Sequence, residues 1–231
     1  MRGLVFRKRP LLVCPPEVRE LCLDITTTGL SLDQLASYAL SELLEVGRGG
    51  FLVEYPTNDD PAPTLQDVSD SGLRPYLAYY RAEDILDWRE GRIGNKKVLT
   101  YVKLREVSSE PSPSNPYASD EVRRIRVLKL DEEGYCAFEV WERRVPLTGT
   151  VGLFPLSTSQ EPGYVRVAAA DPRIYQDGEA IRYIPFVPLG PLENSVRMQK
   201  PPLIDMVWIN IHHYQASADR NHAIHYADCP T

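Results

Sequence analysis

The stretch SLDQLASYALSELLEVGRGGFLVEYP, residues 31–56, joins a helical pattern to a strand pattern through glycines. Ser31 can cap the helix, and Gln34 three residues later completes a capping box. Gly47 is placed to end the helix, and the short strand FLVEYP follows, closed by Pro56. The apolar residues of the helical part recur at steps of three and four and form one face: Leu32, Leu35, Ala36, Ala39, Leu40, Leu43 and Leu44. A helix, a glycine turn and a strand are therefore predicted in this order.

The segments that follow predict an antiparallel sheet. Residues 123–144 have the pattern of a hairpin whose turn lies at 131–134. The polar, proline-rich segments 57–75 and 108–119 predict surface loops. Four further segments have strand patterns: 76–80, 96–107, 163–169 and 182–191. We therefore expect an α+β fold with a mostly antiparallel sheet, an N-terminal amphipathic helix and a long C-terminal helix.

The long C-terminal helix is predicted from PPLIDMVWINIHHYQASADRNHAIHYADCPT, residues 201–231. Pro201 and Pro202 suit a helix start, and neither proline nor glycine follows before about Tyr226. A continuous helix over this length would measure about 36 Å. Its predicted apolar face contains Leu203, Ile204, Val207, Ile211, Tyr214 and Ala218. Such a length indicates a strut or a spine.

The same helix contains every histidine of the chain: His212, His213, His222 and His225. Asp219, His222 and His225 recur at steps of three and could line one helical face as metal ligands. One helix rarely supplies a complete site, and no histidine elsewhere could complete it. This pattern favours polar residues on a structural helix, so no metal, cofactor or catalytic residue is assigned. A metal-dependent hydrolase or nuclease using these three residues is the alternative.

A second acidic group lies in RAEDILDW, residues 81–88. Residues 82–88 are compatible with one helical turn that places Ile85 and Trp88 against the core. Its carboxylates could suggest a metal-dependent nuclease, but acidic residues in a turn after a strand are more typical of solvated or capping positions. The carboxylates are Glu83, Asp84 and Asp87. Phosphate-binding loops, a dinucleotide fingerprint and a nucleophile elbow are all absent from the sequence.

Composition and charge restrict the classes of function. The net charge of −6 argues against a protein that wraps nucleic acid with a general basic surface. The basic segment RGLVFRKRP, residues 2–10, is interpreted as a solvated terminal arm. The N-terminal apolar run is too short for a signal peptide, and no window suits a membrane span, so a soluble protein is predicted. The four cysteines lack CxxC spacing and are expected to be reduced thiols in a cytosolic setting: Cys14, Cys22, Cys136 and Cys229.

Taken in order, several segments resemble the portal-like proteins of tailed bacteriophages, in particular a subgroup catalogued as a phage domain of unknown function. They are GLVFRKRP, the helix–strand unit at 31–56, RPYLAYYRAEDILDWR, IPFVPLG and the C-terminal stretch from Pro201. The most characteristic is the last of these segments, with its proline start and its core at His213–Asp219. The resemblance covers Gly3 to Thr231 and implies that the fold is that of the wing region of a portal subunit.

The resemblance implies a structural protein without enzymatic activity, found in the virion or in the cytoplasm of the bacterial host. Family members form a ring, usually of twelve subunits, that serves as the head–tail connector. The implied partners are other copies of the chain, the terminase, capsid or scaffold proteins and tail adaptors. Double-stranded DNA would pass through the channel without sequence-specific binding, and no membrane is involved. A virion adaptor or head-completion protein is a further alternative.

The resemblance also predicts how the chain is divided. Relatives are about twice as long, so the chain is expected to be a fragment, truncated at both ends, that forms a single wing-like domain over 1–231. A possible subdivision places 1–107 and 120–231 on either side of the segment 108–119. A chain cut in this way is expected to expose an apolar patch.

Overall fold

The chain has an α+β fold, as the sequence predicts. It divides into two compact units, one comprising Met1–Gly49 and Pro188–Thr231 and the other Gly50–Val187. Most of the predicted loop 57–75 and most of 145–180 lie outside the residues described. We describe a computed structural model, which defines residues 2–8, 10–54, 74–112, 115–146, 163–170 and 180–227.

The first unit is helical. The capping box predicted for its third helix is present, because the Gln34 backbone N–H donates to Oγ of Ser31 and the Ser31 N–H donates to Oε1 of Gln34 at 2.9 Å. Gly47 ends this helix with a φ of 78°, which favours glycine. The described helices are α1 (Arg2–Val5), α2 (Pro16–Leu21), α3 (Leu32–Glu45) and α4 (Ile204–Ala227). The predicted helices at 31–47 and from Pro202 to about Tyr226 are thus confirmed. Within the described parts of the chain, no helix combines the length and hydropathy that a bilayer-spanning segment requires.

Eight strands of the described residues form two sheets, which lie in the second unit apart from the ends of β1 and β8. One sheet has the order β2-β1-β8, and the other has the order β3-β4-β5-β6-β7 with every neighbouring pair antiparallel. The strands are β1 (Gly49–Glu54), β2 (Tyr76–Arg81), β3 (Ile85–Ile93), β4 (Lys96–Ser112), β5 (Asn115–Leu130), β6 (Cys136–Pro146), β7 (Val165–Ala170) and β8 (Phe186–Leu189). The hairpin predicted at 123–144 is therefore the distal half of β5 with most of β6.

The prediction of a loop at 108–119 is wrong. β4 continues to Ser112 and β5 begins at Asn115, and Pro111 is paired with Ser119 in the register of this hairpin. β3 pairs with β4 only as far as Leu104, so the remainder of β4 has one neighbouring strand among the described residues. Proline is tolerated at such an open edge, since its missing N–H would face away from the paired strand.

The single helical turn predicted for residues 82–88 is only partly correct. A 3₁₀ turn covers Ala82–Asp84, and β3 begins directly after it at Ile85. Trp88 is therefore a strand residue. The expectation that Ile85 and Trp88 pack on the core is nevertheless confirmed, because Ile85 is buried and the Trp88 ring meets the Phe186 ring edge-on at 6.4 Å.

The core of the second unit lies between its two sheets. The three-stranded sheet contributes Leu52 and Phe186, and the five-stranded sheet contributes side chains that alternate along β4 and β5. Among the described residues, the buried cluster contains Leu52, Tyr80, Ile85, Val102, Leu104, Leu128, Cys136, Ile181, Ile184 and Phe186. The described cysteines, Cys14, Cys22 and Cys136, are free thiols, and Cys229 lies outside the described residues.

Candidate functional site

The first turns of α4 expose apolar side chains around the whole circumference of the helix. Met206, Val207, Trp208 and Ile209 are consecutive, and at about 100° per residue they span roughly 300°. Their exposed fractions run from 49% for Val207 to 69% for Ile209, and none of the 24 described residues of α4 is buried. We call the following set the apolar collar: Met206, Val207, Trp208, Ile209, Ile211 and Tyr214. A helix that is apolar on all sides is normally buried on all sides, so the collar has the character of a contact surface.

The start of α4 is fixed to the end of α3. The Leu203 backbone N–H donates to the carbonyl oxygen of Leu44 at 3.3 Å. Gly47 has no side chain, and a Cβ there would lie 3.1 Å from Cα of Pro201, so the chain segments approach closely at this point. Lys200 and Asp205 form an ion pair at 2.7 Å across the first turn. The collar thus begins directly after an anchored helix start.

The first unit also contains an open apolar groove, which we call the α3 groove. It lies between the N-terminal segment and α3 and has a volume of about 550 Å³. Leu30 and Tyr38, which line it, are 42% and 47% exposed. Its lining consists of Phe6, Pro10, Leu30, Ser31, Asp33, Gln34, Ser37 and Tyr38. This groove is not predicted from the sequence. Its lining comes from two separate segments, and the residue pattern of each segment does not show that the two meet.

The alternative metal ligands Asp219, His222 and His225 lie on the second half of α4 and are exposed. The His222 ring contacts the Tyr226 ring edge-on, with centroids 4.6 Å apart. No group of three or more His, Cys, Asp or Glu side chains among the described residues is arranged to hold a metal ion. Asp219, His222 and His225 recur at steps of three along the helix, but they do not converge on one point.

The acidic side chains of residues 81–88 are each held by an arginine. Asp84 accepts from Arg105 at 3.2 Å, Asp87 accepts from Arg89 at 2.7 Å, and Glu83 is 2.9 Å from Arg81. Carboxylates that are already paired with cations are poorly suited to bind a metal ion together. The structure therefore favours the interpretation of these residues as surface ion pairs.

A set of partly buried polar side chains surrounds Arg126 in the second unit, and we call it the Arg126 cluster. Arg126 on β5 donates to Glu54 on β1, and its Nε lies 2.9 Å from Oε1 of Glu106 on β4. Tyr80 donates to Glu106, and Tyr76 donates to Glu54 at 3.1 Å. The cluster joins strands of both sheets. Since one cation holds both carboxylates, the arrangement is that of a partly buried structural contact.

Tyr80 is expected to make stability fall at alkaline pH. Burial raises the pKa of the Tyr80 phenol far above its usual value near 10, and the carboxylate of Glu106 raises it further. The folded state therefore keeps the proton that the unfolded state releases above about pH 10. The stability from this group is complete below that pH and is lost as pH rises, by up to about 1.4 kcal/mol per pH unit.

Urea unfolding measured at intervals from pH 8 to pH 11 checks this prediction. The Tyr80→Phe variant should be less stable at pH 8, because it loses a hydrogen bond, and should show a flatter decline above pH 10. Tyr117→Phe, at a side chain that is 99% exposed, is the matched control and should keep the wild-type profile. Parallel declines in wild type and Tyr80→Phe would contradict the assignment.

A partly exposed ion-pair network lies farther along the five-stranded sheet. Arg124 is 2.6 Å from Glu110 and 2.9 Å from Glu142, and Arg144 contacts the same two carboxylates. The hydrogen bond from Arg124 lowers the pKa of Glu110 below its usual range. Arg124, Glu110 and Arg144 are about a third exposed, so water screens their charges and we expect this network to contribute less to stability than the Arg126 cluster.

No protein-family model matches the chain, and no curated protein matches it in sequence. The function of the chain is therefore inferred from its described surfaces and from the resemblance of its sequence. Of these surfaces, the apolar collar and the α3 groove are the two that have the size and exposure of contact sites.

Proposed function

We propose that the chain is a structural subunit of a portal-type ring, the head–tail connector of a tailed bacteriophage. The observation that carries this proposal is the apolar collar of α4. A subunit of a closed ring contacts two neighbours and must present apolar surface to them in its monomeric form. The collar is such a surface, and it belongs to the helix that the resemblance identifies as the most characteristic segment.

The area of the collar suits a subunit contact. Six large apolar side chains that are each about half exposed present roughly 600 Å². This value is at the upper limit of the largest apolar patch on typical monomers, about 300–600 Å². It is also most of the roughly 800 Å² per partner that a stable interface buries. Surface of this kind favours assembly over an isolated chain.

The charge of the chain supports a channel through which DNA is packaged and ejected. A polyanion slides most easily past a surface that makes few phosphate contacts, because each contact adds affinity and therefore drag. The net charge of −6 meets this requirement. The proposed partners are further copies of the chain, the terminase, capsid proteins and tail adaptors, in the virion or in the host cytoplasm during assembly.

The proposal is tested by the oligomeric state of the purified chain. We expect annular particles in negative-stain images and a mass of several subunits in light scattering. Ile211→Glu places a charge in the collar and should reduce the particles to monomers of 26.2 kDa. A charge in this position loses its hydration when the collar is covered, which costs several kcal/mol.

Asn221→Glu is the matched control, because it adds the same charge to an exposed polar position of α4 about two turns beyond Tyr214. This variant should assemble like the wild type. Circular dichroism should show unchanged helix content in both variants. A wild-type chain that remains monomeric at tens of micromolar would overturn the proposed function.

A further inference from the structure

We infer that Cys14 and Cys22 form an intramolecular disulfide when the chain meets a small disulfide such as oxidised glutathione, so that the pair is a site of reversible thiol oxidation. This inference is independent of the proposed function. Seven residues separate the two cysteines, and α2 lies between them. Cys14 precedes this helix in a segment without regular secondary structure, and Cys22 is the residue that caps its C-terminal end.

The two thiols are already in contact. The Cys22 thiol donates a hydrogen bond to the sulfur of Cys14, and both residues are free thiols in the structure. The sulfur atoms of a disulfide lie about 2.05 Å apart, so the pair has to close only the gap between contact and bonding. Because Cys14 lies outside the helices and strands, the backbone can adjust there without unpairing a helix or a sheet.

Exposure also distinguishes this pair from the cysteine of the core. A thiol exchanges with a small disulfide only where the reagent can reach it. Cys14 and Cys22 are each partly exposed, whereas Cys136 is fully buried between the sheets of the second unit. Among the described cysteines, Cys14 and Cys22 are therefore the two that combine mutual contact with access from solvent.

The exchange proceeds in two balanced steps. The Cys14 sulfur attacks one sulfur of the small disulfide and forms a mixed disulfide, and the other half leaves as a thiol that takes the proton of Cys14. The Cys22 sulfur then attacks the Cys14 sulfur, and the second half leaves as a thiol with the proton of Cys22. The two cysteines are oxidised, and one small disulfide is reduced to two thiols. Cys14 is the first nucleophile, because burial raises the pKa of Cys22 and the neighbouring Cys14 and Asp33 raise it further.

The disulfide joins the N-terminal segment to the start of α3. The carbonyl oxygen of Cys22 accepts a hydrogen bond from the Leu32 backbone N–H at 2.9 Å, and Leu32 is the first residue of α3. A covalent bond from Cys14 to Cys22 therefore restricts how far the segment before Pro15 can move from this helix.

Peptide mapping of the purified chain tests the inference. Trypsin cleaves after Arg19, between the two cysteines, so the disulfide joins two tryptic peptides that otherwise separate. The native chain is incubated with oxidised glutathione, its remaining thiols are blocked, and the digest is analysed by mass spectrometry without reductant. We expect the peptides of Cys14 and Cys22 to appear as one linked species and the separate peptides to be lost. Treatment with dithiothreitol should restore the separate peptides.

Three serine variants complete the test. Cys22→Ser should accumulate glutathione on Cys14 as a mixed disulfide, and Cys14→Ser should react more slowly at Cys22. Cys229→Ser removes a cysteine outside the pair and should form the linked species as the wild type does. The wild-type map decides the inference without the variants. Cys14 and Cys22 that stay free, that each carry glutathione, or that are linked to another cysteine would overturn it.

Discussion

Replacement of Arg126 by methionine is expected to lower the free energy of unfolding by about 3 kcal/mol at pH 7. Methionine keeps much of the apolar stem but removes the cation between Glu54 and Glu106, whose side chains are 11% and 26% exposed. Breaking a buried ion pair by removing one partner costs about 3–5 kcal/mol, since the other charge stays buried. The solvent that reaches Glu106 places this case at the lower end. Urea unfolding of the purified variant measures the effect.

A matched comparison is provided by Arg124→Met in the partly exposed network of Glu110 and Glu142. Arg124 bridges two glutamates as Arg126 does, but its side chain is 29% exposed against 18% for Arg126, and Glu110 is 30% exposed. Water screens these charges more strongly, so the loss should be smaller than about 3 kcal/mol. Equal losses in the two methionine variants would show that the Arg126 cluster contributes no more than this partly exposed network.

The loss in Arg126→Met should come from the two carboxylates that the arginine balances. Adding Glu54→Gln and Glu106→Gln to the variant should therefore narrow the gap between variant and wild type at pH 7, because these changes remove the negative charges.

The sequence predicts those elements whose signals are local. The helix from Ser31 is specified by its own capping box and apolar face, and its end is specified by Gly47. The hairpin around Gly134 is specified by alternation and a turn residue with a φ of 86°. The segment 108–119 was mispredicted, because prolines usually end strands and only the neighbouring strand's early end makes Pro111 acceptable.

The surfaces could be predicted only in part. The run from Met206 to Ile209 is visible as four consecutive apolar residues, but its exposure depends on what packs around α4. The contact of Glu54 with Arg126 joins residues 72 apart, and the α3 groove joins Phe6 to Tyr38. Such contacts depend on tertiary packing, and the periodicity of a single segment does not predict which other segment it contacts.

Replacement of Phe186 by alanine should have an effect at least as large as that of the Arg126 variant, about 3–5 kcal/mol. The Phe186 ring is 4% exposed and packs against Tyr80 and Trp88, with ring centroids 6.4 Å away in each case. Its removal loses the burial of an aromatic ring and leaves a cavity between the two sheets of the second unit. Val107→Ala is the control, because the Val107 side chain on β4 is 56% exposed. This variant should lower the free energy of unfolding by well under about 1 kcal/mol.

Gly50 supplies a decisive second test of this packing. A Cβ at Gly50 would lie 2.1 Å from Cζ of Phe186, so Gly50→Ala alone forces the ring to move and should cost about 1–3 kcal/mol. In the Phe186→Ala background the same substitution meets the vacated space and should cost less than about 1 kcal/mol, a coupling that urea unfolding of the four proteins measures. Gly163→Ala, whose Cβ would meet nothing within 4 Å, should cost the same in both backgrounds. Additive losses for Gly50→Ala and Phe186→Ala would show that the ring does not pack on the glycine, because two residues that share one space cannot be changed independently.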